Sequence, residues 1–148
     1  MPESSNPRVI RSVAVTSSDV VAALEMRKTS SKPAVLRLTP PFSGRMRARL
    51  HVEQSDEYTD TPQPIHVHPE QLVEESAPSY PRPSETEDEL RTDPDRTYTV
   101  EQHHDYHTER VTAWRETVSN SIAETLQLET TAGPHEVVVK TLQRDLDS

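Results

Sequence analysis

Hydrophobic positions recur with a helical period between Thr97 and Leu128. Val100, Val111, Trp114, Val118, Ile122 and Leu126 are separated by three, four or combinations of the two, so they fall on one helix face. Thr97 or Thr99 stands ahead of the run as a cap, because a threonine hydroxyl can accept a free backbone N–H of the first turn. Gly133 and Pro134 close the region that follows. A shorter helix is predicted from Asp19 to Lys28. Ser17 or Ser18 caps it, and Val20, Val21, Leu24 and Met26 form its apolar face. Asp19 suits its positive end, and Arg27 and Lys28 suit its negative end.

Elsewhere the period is two. Val13 and Val15 alternate with polar neighbours and predict a short strand. Ala34 to Thr39 is a second strand, and Pro40 to Gly44 a connection. Arg45 to Glu53 alternates strictly, with Met46, Ala48, Leu50 and Val52 on one side and Arg45, Arg47, Arg49 and His51 on the other. The two strands predict an antiparallel hairpin with an arginine-bearing outer face. Gln54 to Gln63 is a polar loop. Ile65 to His68 is a short strand, and Pro69 opens a short helix. His135 to Leu142 is the closing strand. Ala77 to Arg96 carries four prolines and six acids and reads as an extended or disordered linker. A turn of helix fits Ser84 to Arg91, where Ser84 and Glu87 have capping-box spacing. This order predicts an α+β fold: a mostly antiparallel sheet covered by a long C-terminal helix and a shorter N-terminal helix. Residues 1–12 and 143–148 are expected to be flexible ends. Residues 13–142 form one domain, interrupted by the acidic segment 77–96.

Composition changes this picture in two ways. Of 148 residues, 31% are hydrophobic and 4% aromatic, with 13 Pro and 2 Gly, so the core should be small. The absence of Cys excludes disulfides and thiolate chemistry. The N-terminal residues lack the apolar stretch of a signal peptide, and no run reaches the ~20 apolar residues of a membrane span. By elimination, the expectation is a soluble, cytoplasmic protein with no membrane partner. The formal charge is −9, and its bases are 13 Arg and 3 Lys. Acid excess, scarce lysine and abundant threonine match the surfaces of proteins from salt-loving archaea. At molar salt the Debye length is about 3 Å, so dense carboxylates repel one another little.

The charge is unevenly placed. Arg27, Lys28, Lys32, Arg37, Arg45, Arg47 and Arg49 fall between Met26 and Val52 with no acid among them, leaving −16 for the rest of the chain (−9 less +7). Arginines at alternate strand positions stand about 7 Å apart and can track phosphates or acidic side chains. Arg37, Arg45, Arg47 and Arg49 are therefore candidate anion-binding residues, with nucleic acid or an acidic protein as the partner. The opposing reading pairs these arginines with the chain's own acids. A second candidate is a metal site. His66 and His68 share a strand face and His103 and His107 a helix face, and imidazoles so spaced can hold zinc or another divalent transition metal. Against it, His104 and His107 fall inside the apolar stripe and His103 on its edge, which favours packing. No phosphate loop, GxSxG or HExxH is present, so no enzyme activity and no cofactor are expected. The near-heptad stripe would also let two copies pair as a homodimer.

The stretches VTSSDVVAALEMRK and AVLRLTPPFSGRMRARLHVEQ, with PPFSGRMRARLH the most specific piece, resemble small proteins of unknown function encoded by haloarchaea. The similarity spans Val13 to Leu142. It implies lineage and a folded domain, and it carries over no functional residue. The combined expectation is a non-enzymatic binding module that presents a basic hairpin to an anionic partner.

Overall fold

Ile10, Val13 and Val15 are fully buried near the start of the chain. The computed structural model describes residues 6–30, 32–53, 64–130 and 133–142. Pro7–Val9 forms a turn of 3-10 helix. Strand β1 (Ser12–Thr16) then buries Val13 and Val15 and leaves Ser12, Ala14 and Thr16 half-buried, as a strand with one face on the core must. Thr16 ends the strand and caps helix α1 (Ser17–Thr29), its hydroxyl accepting from the Asp19 amide at 3.1 Å. The cap is therefore Thr16, one residue ahead of the serines that the sequence suggested. Val20, Val21, Ala23 and Leu24 of α1 are buried, and this helix touches both sheets of the fold.

The segment after α1 departs from the expected hairpin in one respect. Strand β2 (Ala34–Leu38) buries Ala34, Val35, Leu36 and Leu38, and Pro40–Pro41 is a cis peptide. The alternating stretch that follows is not one strand. It divides at Ala48 into β3 (Arg45–Arg47) and β4 (Arg49–Val52). The fully buried Ala48 donates its N–H to Ala14 O at 2.9 Å, and the chain then passes to the other sheet. β4 pairs antiparallel with β2, as expected, with Leu36 opposite Leu50. β3 instead lies parallel to β1. Strand β5 (Ile65–Val67) adds to the far side of β2, and Pro69–Leu72 is a 3-10 turn.

Helix α2 (Pro83–Thr92) occupies half of the acidic segment expected to be a linker. Its start is held by Arg82 and Glu85, and it buries Thr86 and Leu90. Helix α3 (Val100–Ser119) is capped by Thr99, whose hydroxyl accepts from Gln102 N at 2.9 Å. It is shorter than its apolar period. Val111, Trp114 and Val118 are buried, but Val100 is 77% exposed. Ile122 forms an isolated bridge with Val73, and Leu126 belongs to strand β6 (Thr125–Thr130). The period continued because Leu126 and Leu128 alternate inward as strand residues, and Leu126 also fits a helical spacing. Strand β7 (Gly133–Leu142) pairs antiparallel with β6 and parallel with β1.

The four-stranded sheet runs β3-β1-β7-β6 and the three-stranded sheet β4-β2-β5. Among the described residues, three strand pairings are antiparallel and two parallel, so the expected α+β class with mostly antiparallel strands holds. α3 rests on α1 and α2, and Trp114 and Val118 join the core shared with Leu126, Leu128 and Val137. The expected loop at 54–63 and tail at 143–148 lie outside the described residues.

Because Ala23 is fully buried, Ala23→Leu would force side chains into α1's packing. The expected destabilisation is about 1–3 kcal/mol in urea unfolding, and an unchanged midpoint would contradict this close packing.

Candidate functional site

The break at Ala48 decides where the candidate arginines go. Arg45 and Arg47 stay on the four-stranded sheet, while Arg49 lies on the three-stranded sheet opposite Arg37. The expected row of three on one strand is thus two pairs on two sheets.

On the four-stranded sheet, Ser12 is in register with Arg45 on one side and Val138 on the other, and Ala14 is in register with Arg47 and Lys140. Val13 and Val15 point to the core, so Arg45, Arg47 and Lys140 share the opposite face with Ser12, Ala14 and Thr16. Arg47 and Lys140 sit two strand spacings apart, or about 10 Å. Val138 and Leu142, on the same face, are 45% and 39% exposed. Acids enter this face at its other corner, with Glu136 on β7 and Glu129 on β6. Arg45 also turns toward a cleft of about 600 Å³ that it lines with Arg8, Arg11, Ser12 and Ser43. Arg8 is loosely tethered there, at 3.5 Å from Pro134 O.

Several acids of the described residues pair away from this face. Among those residues, ion pairs join Arg115 to Glu25, Arg27 to Glu70, Arg91 to Glu87, Arg96 to Asp93, Arg82 to Glu85 and Arg110 to Glu89. None involves Arg45, Arg47 or Arg49. Arg47 Nε is buried and has no hydrogen-bond partner among the described residues, although a buried guanidinium donor ordinarily has one. Arg27 does not widen the patch, since it donates to Ala34 O at 3.1 Å and meets Glu70.

Arg37 has a different environment. Its Nε donates to His66 Nε2 at 3.1 Å, and His66 Nδ1 lies 2.7 Å from Glu53 Oε2. An arginine Nε–H can only donate, so His66 Nε2 accepts and Nδ1 carries the proton shared with Glu53. His51 stacks nearby, with ring centroids 5.5 Å apart.

A family model described as Domain of unknown function (DUF8009) matches residues 1–143. The chain belongs to that family. No curated protein and no solved structure matches it significantly. Among the described residues, no helix of this family member is long and apolar enough to cross a membrane. Since the family description names no activity, functional assignment rests on local geometry.

The four candidate metal-binding histidines do not converge. His66 belongs to the Glu53–Arg37 network, and His68 is exposed at the start of the 3-10 turn. His103 and His107 meet the buried Thr86 hydroxyl, each at 2.9 Å. The hydroxyl and His103 Nε2 both lie 3.1 Å from Pro83 O, which can only accept, so His103 Nε2 carries a proton. The near nitrogens of both rings are thus engaged within this cluster. His104, placed on the apolar stripe by a phase anchored at Val100, is exposed because the buried face actually runs through His103, His107, Val111 and Trp114. Among the described residues, no group of three His, Asp or Glu could hold a metal. Thr86, Lys140, Arg8 and Arg11 were not candidates from sequence. Only the pairing of distant segments brings them to these places.

Burial is the main cause that holds the His107 imidazole below its ordinary 6.5, and the charges of His103, His104 and Arg110 add to it. The unfolded chain therefore takes up this proton more readily than the folded chain. Stability is full above about pH 6.5 and falls as pH drops through that value toward the lower folded one. His107→Asn keeps a hydrogen-bonding group for Thr86 and should flatten this slope in urea unfolding. A slope that survives the substitution would assign the effect to another group.

Proposed function

We propose that this protein is a non-enzymatic binding module that contacts an anionic partner, nucleic acid or an acidic protein, through the basic half of its four-stranded sheet. Arg45, Arg47 and Lys140 make the central contacts, and Arg8 and Arg11 extend them along the neighbouring cleft. The observation that carries this reading is Arg47, whose buried Nε–H lacks a partner among the described residues while the helices' arginines are paired with acids. An anion on this face that drew the half-buried Arg47 side chain outward would give its guanidinium charge-assisted hydrogen bonds. Arg37 and Arg49 form a second basic row on the other sheet and act as a lesser contact. The acid-rich, lysine-poor composition supports a haloarchaeal origin, and at molar salt an anion site must work through short-range, geometrically fitted contacts because salt screens longer ones.

The triple variant Arg45→Gln, Arg47→Gln, Arg49→Gln tests the site by gel shift on duplex DNA and by titration with a polyglutamate peptide. Binding to one of these anions should fall at least tenfold with the melting temperature nearly unchanged. On DNA, the salt slope should drop by about one for each phosphate that the variant no longer neutralises. Wild-type protein that binds neither anion, or a variant that binds as well as wild type, would remove the proposal. A halophilic surface makes a separate expectation. The thermal midpoint should rise between low and molar KCl, as repulsion within the −9 chain is screened; a flat response argues for an ordinary acidic protein.

A further inference from the structure

On a different side of the molecule, α1, α3 and the segment leading from the 3-10 turn to Tyr80 line a half-open pocket of about 270 Å³. Leu24, Val73, Trp114 and Val118 give it apolar walls, and Tyr80 closes one side. The Tyr80 ring meets the Trp114 indole edge-on, with centroids 4.8 Å apart. At ~30 Å³ per water-sized group, the space suits roughly nine non-hydrogen atoms.

The polar groups around it restrict what can enter. The Trp114 indole N–H is already given to Pro78 O at 3.0 Å, and the Tyr80 hydroxyl to Glu25 Oε2 at 3.3 Å. Neither donor is left for a ligand. The cavity is also lined by Glu70, Glu74 and Glu75 with the single cation Lys28. Glu70 is shared with Arg27. Glu74 and Glu75 are exposed and make no ion pair among the described residues. Walls that offer apolar surface and a mouth that offers unpaired carboxylates select a ligand with an apolar body and a cationic donor at one end.

We infer that this cavity binds a small organic ammonium ion, with its hydrocarbon against Trp114, Leu24 and Val73 and its ammonium at Glu74 and Glu75. The site is independent of the basic sheet face, and each can fail without the other. A neutral hydrocarbon would forgo the carboxylate contacts, and a carboxylate of the same shape would be repelled. A larger ligand would project past the mouth, where the carboxylates are the last groups it meets.

Trp114 is the only tryptophan in the chain, so its emission reports the cavity directly. Phenethylammonium is the probe, with phenylacetate as the anionic comparison, in full-length protein. Saturable change in Trp114 emission is expected with phenethylammonium and at least tenfold weaker binding with phenylacetate. The exposed double variant Glu74→Gln, Glu75→Gln should weaken phenethylammonium about tenfold, the combined effect of two surface ion pairs, with its melting temperature held. Val73→Phe, which fills the cavity, should abolish the response while Glu74→Gln, Glu75→Gln retains a weak one. No saturable response in wild type, equal binding of the anion, or full affinity in the double glutamine variant would each overturn the inference.

Discussion

The burial of α1 against both sheets is the constraint on which the remaining structure depends. The chain has few large apolar side chains, and this helix brings those of both sheets together. Val20, Val21, Ala23 and Leu24 are buried on it, facing the strand residues Val13, Val15, Leu36 and Leu38 in one core. Polar side chains then fix what hydrophobic contact leaves loose. Glu25 takes a two-point hydrogen bond from Arg115 on α3, at 2.8 and 2.9 Å. Arg27 reaches the start of β2 through Ala34 O. These contacts are partly exposed, so they orient more than they stabilise. The apolar burial supplies the larger driving force, at ~25 cal/mol per Å².

Around that helix the chain has to serve two sheets with little sequence to spare. Ala48 is where it changes from one to the other. A small residue can be fully enclosed at the crossing while its N–H still bonds β1. The same change distributes the arginines. Those before Ala48 join a face completed by Lys140 from the far end of the chain, and the one after it stands beside Arg37 and the Glu53–His66 pair. A single basic stretch in sequence becomes two basic surfaces with different neighbours.

Much of the local structure was legible. The β2–β4 pairing, the strand at β1, the central turns of α1 and a threonine cap ahead of α3 follow from period and capping chemistry, which act within a few residues. What was hidden depended on distant partners. Strict alternation from Arg45 to Glu53 is compatible with one strand or with two in different sheets, and only the parallel seat beside β1 decides between them. The apolar period of α3 ran on into β6 because a leucine at the right spacing serves either element. The histidines looked like metal ligands or core residues, and the buried Thr86 that meets two of them sits in a segment that read as a linker with at most a turn of helix. The basic face was half visible, since Arg45 and Arg47 are near neighbours in sequence but Lys140 is not.

The place of β1 has a consequence for how this chain is made. It precedes every other described strand along the chain, yet it lies inside a sheet beside β7, the last of them. Until β7 emerges, one edge of β1 has no partner, and Val13 and Val15 lack part of their cover. α1 and the β2–β4 hairpin can assemble earlier on local contacts. The four-stranded sheet must wait for β7, and its closure, with high sequence separation, should be the slow step. A chain that lacked β7 would therefore lack the face on which Arg45 and Arg47 stand with Lys140.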